Sequence, residues 1–143
     1  MGRGSSKARS GGGGISANSK QVQDTVARIK SPSTKQDFID KMEVMVELSK
    51  SQDTYTYSIR TSEWENYGKS RTYLKIAETR ASDGKPHGVR DYGYYDNKTN
   101  TYVKPKSSNN LNGREFYSIS GSAVSDGDLA AATAAVLKRR KSK

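Results

Sequence analysis

The sequence has no cysteine, a single histidine, three prolines and no long apolar run. Without cysteine, neither a disulfide framework nor a thiolate zinc site is available. One histidine and no clustered carboxylates argue against a transition-metal centre, and no cofactor is expected. Nothing approaches the ~20 apolar residues of a membrane-spanning helix. Residues 1–30 lack the apolar stretch of a signal peptide, so a cytoplasmic protein without membrane attachment is expected. Missing too are a phosphate-binding loop, a dinucleotide fingerprint and a nucleophile elbow. His87 lies in the turn-like "GKPHGV" with no visible partner for general-base work, and reads as a loop residue or a phosphate contact. Glu63 and Glu65 flank Trp64, but two carboxylates are too few for a hard cation. That segment reads as a solvated turn pinned by a buried tryptophan. The expectation is a non-enzymatic protein. A cleft joining His87 to Glu63, Glu65 or Asp91 would argue the other way.

What the chain has in quantity is positive charge, a formal +10 over 143 residues. The charge is concentrated at the ends. Residues 1–14, "MGRGSSKARSGGGG", carry Arg3, Lys7 and Arg9 with no acid. Residues 138–143 carry Lys138, Arg139, Arg140, Lys141 and Lys143, again with no acid. The body between them is nearly neutral, with a mildly basic stretch over residues 54–106. Basic ends attract polyanions through long-range, salt-screened forces, and they also keep a protein soluble. Only 31% of residues are apolar, and the ends account for much of that deficit. Three regions follow. Residues 1–14 form a disordered basic tail, 15–137 a single domain, and 138–143 a basic C-terminal tail. Roughly 120 residues suffice for a small core.

Within the domain the apolar period changes twice. Val22, Val26 and Ile29 recur at helical spacing, Ser19 is placed to cap, and Pro32 closes the segment. A second amphipathic helix spans 34–50, opened by a reciprocal cap from Ser33 with Gln36 or Thr34 with Asp37. From Thr54 the period becomes two. Strands are expected over 54–60, 71–80, 89–96 and 101–105, with "SEWENYGKS" (62–70) as a connection. Asp83-Gly84 and "NKTN" mark turns, and Gly93 marks a bulge or a close approach. Residues 107–114 read as a loop and 115–120 as a short fifth strand. Residues 125–141 read as a helix, capped by Ser125, with acids at its start and bases at its end. Short connections favour an antiparallel meander. The expected fold is α+β: two N-terminal helices, a four- to five-stranded meander and a C-terminal helix.

The tyrosines carry the functional expectation. There are nine, against two phenylalanines and one tryptophan, and eight lie between Tyr55 and Tyr102. Alternation sets Arg71, Tyr73 and Lys75 opposite Leu74 and Ile76, and sets Arg90, Tyr92 and Tyr94 on one face of the next strand. Such a row offers rings for base stacking and cations for phosphates. Cross-strand aromatic pairing in a two-faced sheet, or a protein interface, accounts for the same residues. The expected nucleic-acid-binding set is Arg71, Tyr73, Lys75, Arg90, Tyr92 and Tyr94, helped by Arg3, Lys7, Arg9, Lys138, Arg139, Arg140 and Lys141. The expected partner is single-stranded DNA or RNA, or a nucleoprotein.

The opening "MGRGSSKARSGGGG", about a tenth of the chain, resembles the start of small accessory proteins of phages and mobile elements of Firmicutes. That resemblance implies nucleic-acid binding, or inhibition of host defence in the manner of anti-CRISPR proteins. Many of those are acidic DNA mimics, and this basic chain departs from that pattern. A basic inhibitor would meet guide RNA, target DNA or an acidic patch of a CRISPR effector, mainly through protein contacts in the last case.

Overall fold

The computed structural model describes residues 15–113 and 115–141. The fold is α+β. Helices α1 (Lys20–Lys30) and α2 (Lys35–Leu48) precede four strands, β1 (Tyr55–Asn66), β2 (Lys69–Arg80), β3 (Pro86–Asp96) and β4 (Thr101–Val103), and helix α3 (Asp126–Lys141) follows. The strands form one antiparallel meander in chain order.

Local chemistry sets the helix ends. The Ser19 hydroxyl accepts from the Val22 N–H, and α1 stops ahead of Pro32. At α2 the reciprocal pair is Thr34 with Asp37. The Asp37 N–H donates to Thr34 Oγ1, and the Thr34 N–H donates to Asp37 Oδ2, both at 3.1 Å. Burial by itself would raise the Asp37 pKa. Backbone donors from Thr34 and Ser33, with Arg28 beside them, outweigh that and hold it below the ordinary value. Ser125 caps α3 through the Asp128 N–H.

All three helices lie on one face of the sheet. Their core holds Ile29, Phe38, Met42, Met45, Leu129 and Val136 against Leu74, Ile76, Tyr92 and Tyr95. Full burial of a side chain such as Leu74 or Ile76 stabilises by roughly 1.5–3 kcal/mol. Phe38 stacks on Tyr102, with ring centroids 4.6 Å apart. The Tyr102 hydroxyl donates to the Tyr92 carbonyl and accepts from the Leu111 N–H, which fastens the long loop after β4. That loop contributes Leu111, Phe116 and Ile119 to the core.

The structure differs from the sequence expectation in two elements. Residues 62–70 are not a connection but the far end of the β1–β2 hairpin, closed by Tyr67 and Gly68 alone, both at positive φ. A two-residue turn of that kind matches the right-handed twist of its strands. Residues 115–120 do not form a strand; only an isolated bridge, Tyr117 to Ala123, occurs there.

Candidate nucleic-acid interface

The helices cover one sheet face, and no described element covers the other. Along β2, Thr72, Leu74, Ile76 and Glu78 are buried, while Arg71, Tyr73, Lys75 and Ala77 between them are half-exposed. Register then assigns the neighbours. Trp64 of β1 lies opposite Arg71, Ser62 opposite Tyr73, and Arg60 opposite Lys75. From β3, Tyr94 lies opposite Tyr73, Asp96 opposite Arg71, and Asp91 opposite Lys75.

These side chains touch one another. The Arg71 guanidinium sits 4.3 Å from the Tyr94 ring centroid and 5.3 Å from that of Trp64, and Nη1 donates to the Tyr73 hydroxyl at 3.2 Å. Tyr73 and Tyr94 lie 5.5 Å apart, inclined at 56°. Lys75 Nζ is 5.8 Å from the Tyr73 ring. Cation–π contact and a hydrogen bond hold the arginine among these rings. Beside this ladder a hollow of about 430 Å³ is bounded by Tyr73, Tyr94, Pro105, Lys104 and Lys106, with Asp91 at its side. The Asp91 carboxylate accepts from the Gly93 N–H at 2.9 Å.

Arg71, Tyr73, Lys75 and Tyr94 are therefore brought together as the alternation predicts. Tyr92 and Arg90 are not. Between Tyr73 and Lys75 of β2 the register with β3 slips by one residue, from Tyr94 to Asp91. The bulge sits at Gly93, at φ +93°, and reverses the alternation beyond it. Tyr92 turns into the core at 3% exposure, where burial pushes its phenol up to about 12. Arg90 also faces inward. Its guanidinium donates to the Ile119 carbonyl at 3.3 Å and pairs with the buried Glu78 at 3.4 Å. Of the eight tyrosines between Tyr55 and Tyr102, Tyr73 and Tyr94 stand on the open face; Tyr57, Tyr92, Tyr95 and Tyr102 join or flank the core.

The basic end of α3 is also placed differently from the expectation. Arg139 pairs with Glu47 at 2.9 Å, and Arg140 pairs with Asp40 and Glu43 at 2.7 and 2.5 Å. Desolvation lowers the Arg140 pKa, and the two carboxylates more than reverse that. These guanidiniums lock α3 to α2 on the helical side instead of forming a phosphate-seeking tail. Lys138 and Lys141 lie on the exposed surface of the same helix. Arg3, Lys7 and Arg9 lie outside the described residues.

Trp64 is the residue that sequence reasoning missed. It was expected to be buried, but it is 36% exposed on the open face under Arg71. Its position three residues before the Tyr67-Gly68 turn was the available signal. His87 joins none of Glu63, Glu65 or Asp91. Its ring centroid is 4.7 Å from that of Tyr55, with the planes tilted by 34°, and its Nδ1 lies 3.6 Å from Glu78. No group of three or more metal-ligating side chains occurs among the described residues. No described helix is long and apolar enough to cross a membrane. No family model, curated protein or solved structure matches the chain.

Proposed function

We propose that this protein binds single-stranded nucleic acid on the uncovered face of its sheet. The observation that carries this reading is the ladder Trp64–Arg71–Tyr94 with Tyr73 alongside, on the face that the helices leave open. Bases stack on aromatic faces and on guanidinium planes, and the backbone follows nearby cations. Arg60 and Lys75 flank the rings on one side, and Lys104 and Lys106 border the hollow on the other. Arg3, Lys7 and Arg9 add sequence-independent attraction to phosphates.

The test is a titration against short single-stranded DNA, single-stranded RNA and duplex at two salt concentrations. The combined substitution Tyr73→Ala with Tyr94→Ala weakens single-strand binding roughly tenfold or more, while the circular dichroism spectrum stays unchanged. Unaltered affinity in the folded variant overturns the reading.

A second reading is favoured by Val89 and Val103, 50% and 36% exposed on the same face as Trp64. In it the face docks a protein, as an inhibitor of a defence nuclease does. Its signature is binding that tolerates salt, because apolar contact is not screened.

A further inference from the structure

A second hollow lies on the helical side of β3, away from the open face. This half-open cavity of about 360 Å³ lies between α2, β3 and the loop after β4. Lys41 and Met45 of α2 form one wall, Arg90 and Tyr92 of β3 another, and the loop around Leu111 and Ser118 a third. Lys41 is 4% exposed. Its ammonium donates to the Leu111 carbonyl at 2.5 Å and lies 5.4 Å from the Phe116 ring. No described carboxylate pairs with it. An ammonium has three donors, and the carbonyl takes one.

The remaining charges at the cavity are committed elsewhere. Arg90 is held by the Ile119 carbonyl and Glu78. Glu115, at the rim, accepts from the Tyr117 hydroxyl at 2.7 Å. Tyr92 keeps its proton. Lys41 is thus a buried cation that no described carboxylate contacts, with Glu115 the one acidic residue lining the space; the rest of that lining includes serine, asparagine and the apolar surfaces of Met45, Leu111 and Ile119. Burying a charge in this way costs several kcal/mol, which a methionine or leucine at the same place would avoid.

We infer that this cavity binds a small organic anion whose carboxylate or phosphate head rests on Lys41 Nζ. The hydroxyls and amides around it supply neutral donors to the remaining oxygens. The volume exceeds what a bare ion fills and falls in the lower range of small-molecule pockets, so a short organic body fits behind the head. Desolvation depresses the Lys41 pKa to about 8. A bound anion favours the charged amine and raises that value, so binding weakens as the pH climbs past it.

The experiment is an NMR titration of the isotope-labelled full chain with ribose 5-phosphate, succinate and inorganic phosphate, with ribose as the neutral control. The expected result is a saturable shift at Lys41 and across the loop around Ser118 with at least one organic anion and none with ribose. Which anion acts separates a phosphate head from a carboxylate. Lys41→Met weakens the effect by at least about tenfold. Absence of saturable shifts with every anion overturns the inference, as do shifts that Lys41→Met leaves intact. If that variant disturbs the fold, the Lys41 ammonium is titrated with pH in the unaltered chain. An upward displacement by the anion supports the site, and an unmoved titration removes it.

Discussion

An L-residue at position 93 meets two obstacles. The backbone there has φ +93°, and an added Cβ would overlap the Val103 carbonyl oxygen on β4. Gly93→Ala therefore costs about 3 kcal/mol of stability, read from denaturant unfolding, with β4 losing its seat on β3. The same glycine explains which tyrosines were legible. On β2 strict alternation held, and Arg71, Tyr73 and Lys75 face outward as the pattern of Leu74 and Ile76 requires. On β3 the glycine was readable as a bulge, but its consequence for parity was not. One inserted residue sends Tyr92 inward and leaves Tyr94 outside. Period-two reasoning holds only as far as the ladder stays regular.

At the scale of elements, the helical layer is held by a polar node as well as by its core. Asp40 is 4% exposed and accepts from Arg28 of α1 at 3.4 Å, Gln36 of α2 at 2.9 Å and Arg140 of α3 at 2.7 Å. One carboxylate thus joins three helices. Asp40→Ala removes the shared acceptor, but Arg28 keeps Asp37 and Arg140 keeps Glu43, so stability falls by about 1 kcal/mol, measured by thermal or denaturant unfolding. Asp40→Asn retains acceptor geometry and costs less. Helix positions were legible because caps and prolines are local signals: Ser19, Thr34 with Asp37, Pro32 and Ser125 act as the sequence suggests. The β1–β2 turn was hidden because tyrosine is uncommon at positive φ, so "ENYGKS" reads as a connection although Gly68 alone marks a hairpin. The roles of Arg139 and Arg140 were hidden for another reason. Their partners, Glu47, Asp40 and Glu43, lie far away in the sequence, and a terminal run of bases carries no trace of them.

The whole molecule is two-sided. Helices, ion pairs and the Lys41 cavity occupy one side of the sheet, and the Trp64–Arg71–Tyr94 ladder occupies the other. The two sides should respond separately to mutation. Arg139→Ala with Arg140→Ala lowers stability by about 1 kcal/mol and leaves single-strand affinity nearly unchanged, because partly exposed pairs are worth little and neither guanidinium faces the ladder. Calorimetry and a binding titration on one sample check both halves, and a large loss of affinity would contradict this division. The order of the elements has a consequence for synthesis. Helix α3 packs on both α1 and α2, and its Leu129 and Val136 complete the core. A chain still on the ribosome can pair β1 with β2 through the local Tyr67-Gly68 turn. It must nevertheless leave the part of the core that Leu129 and Val136 complete, and the α1 and α2 surfaces that α3 packs on, uncovered until α3 emerges. That interval is when a chaperone has apolar surface to hold, and when a truncated product is most prone to aggregate.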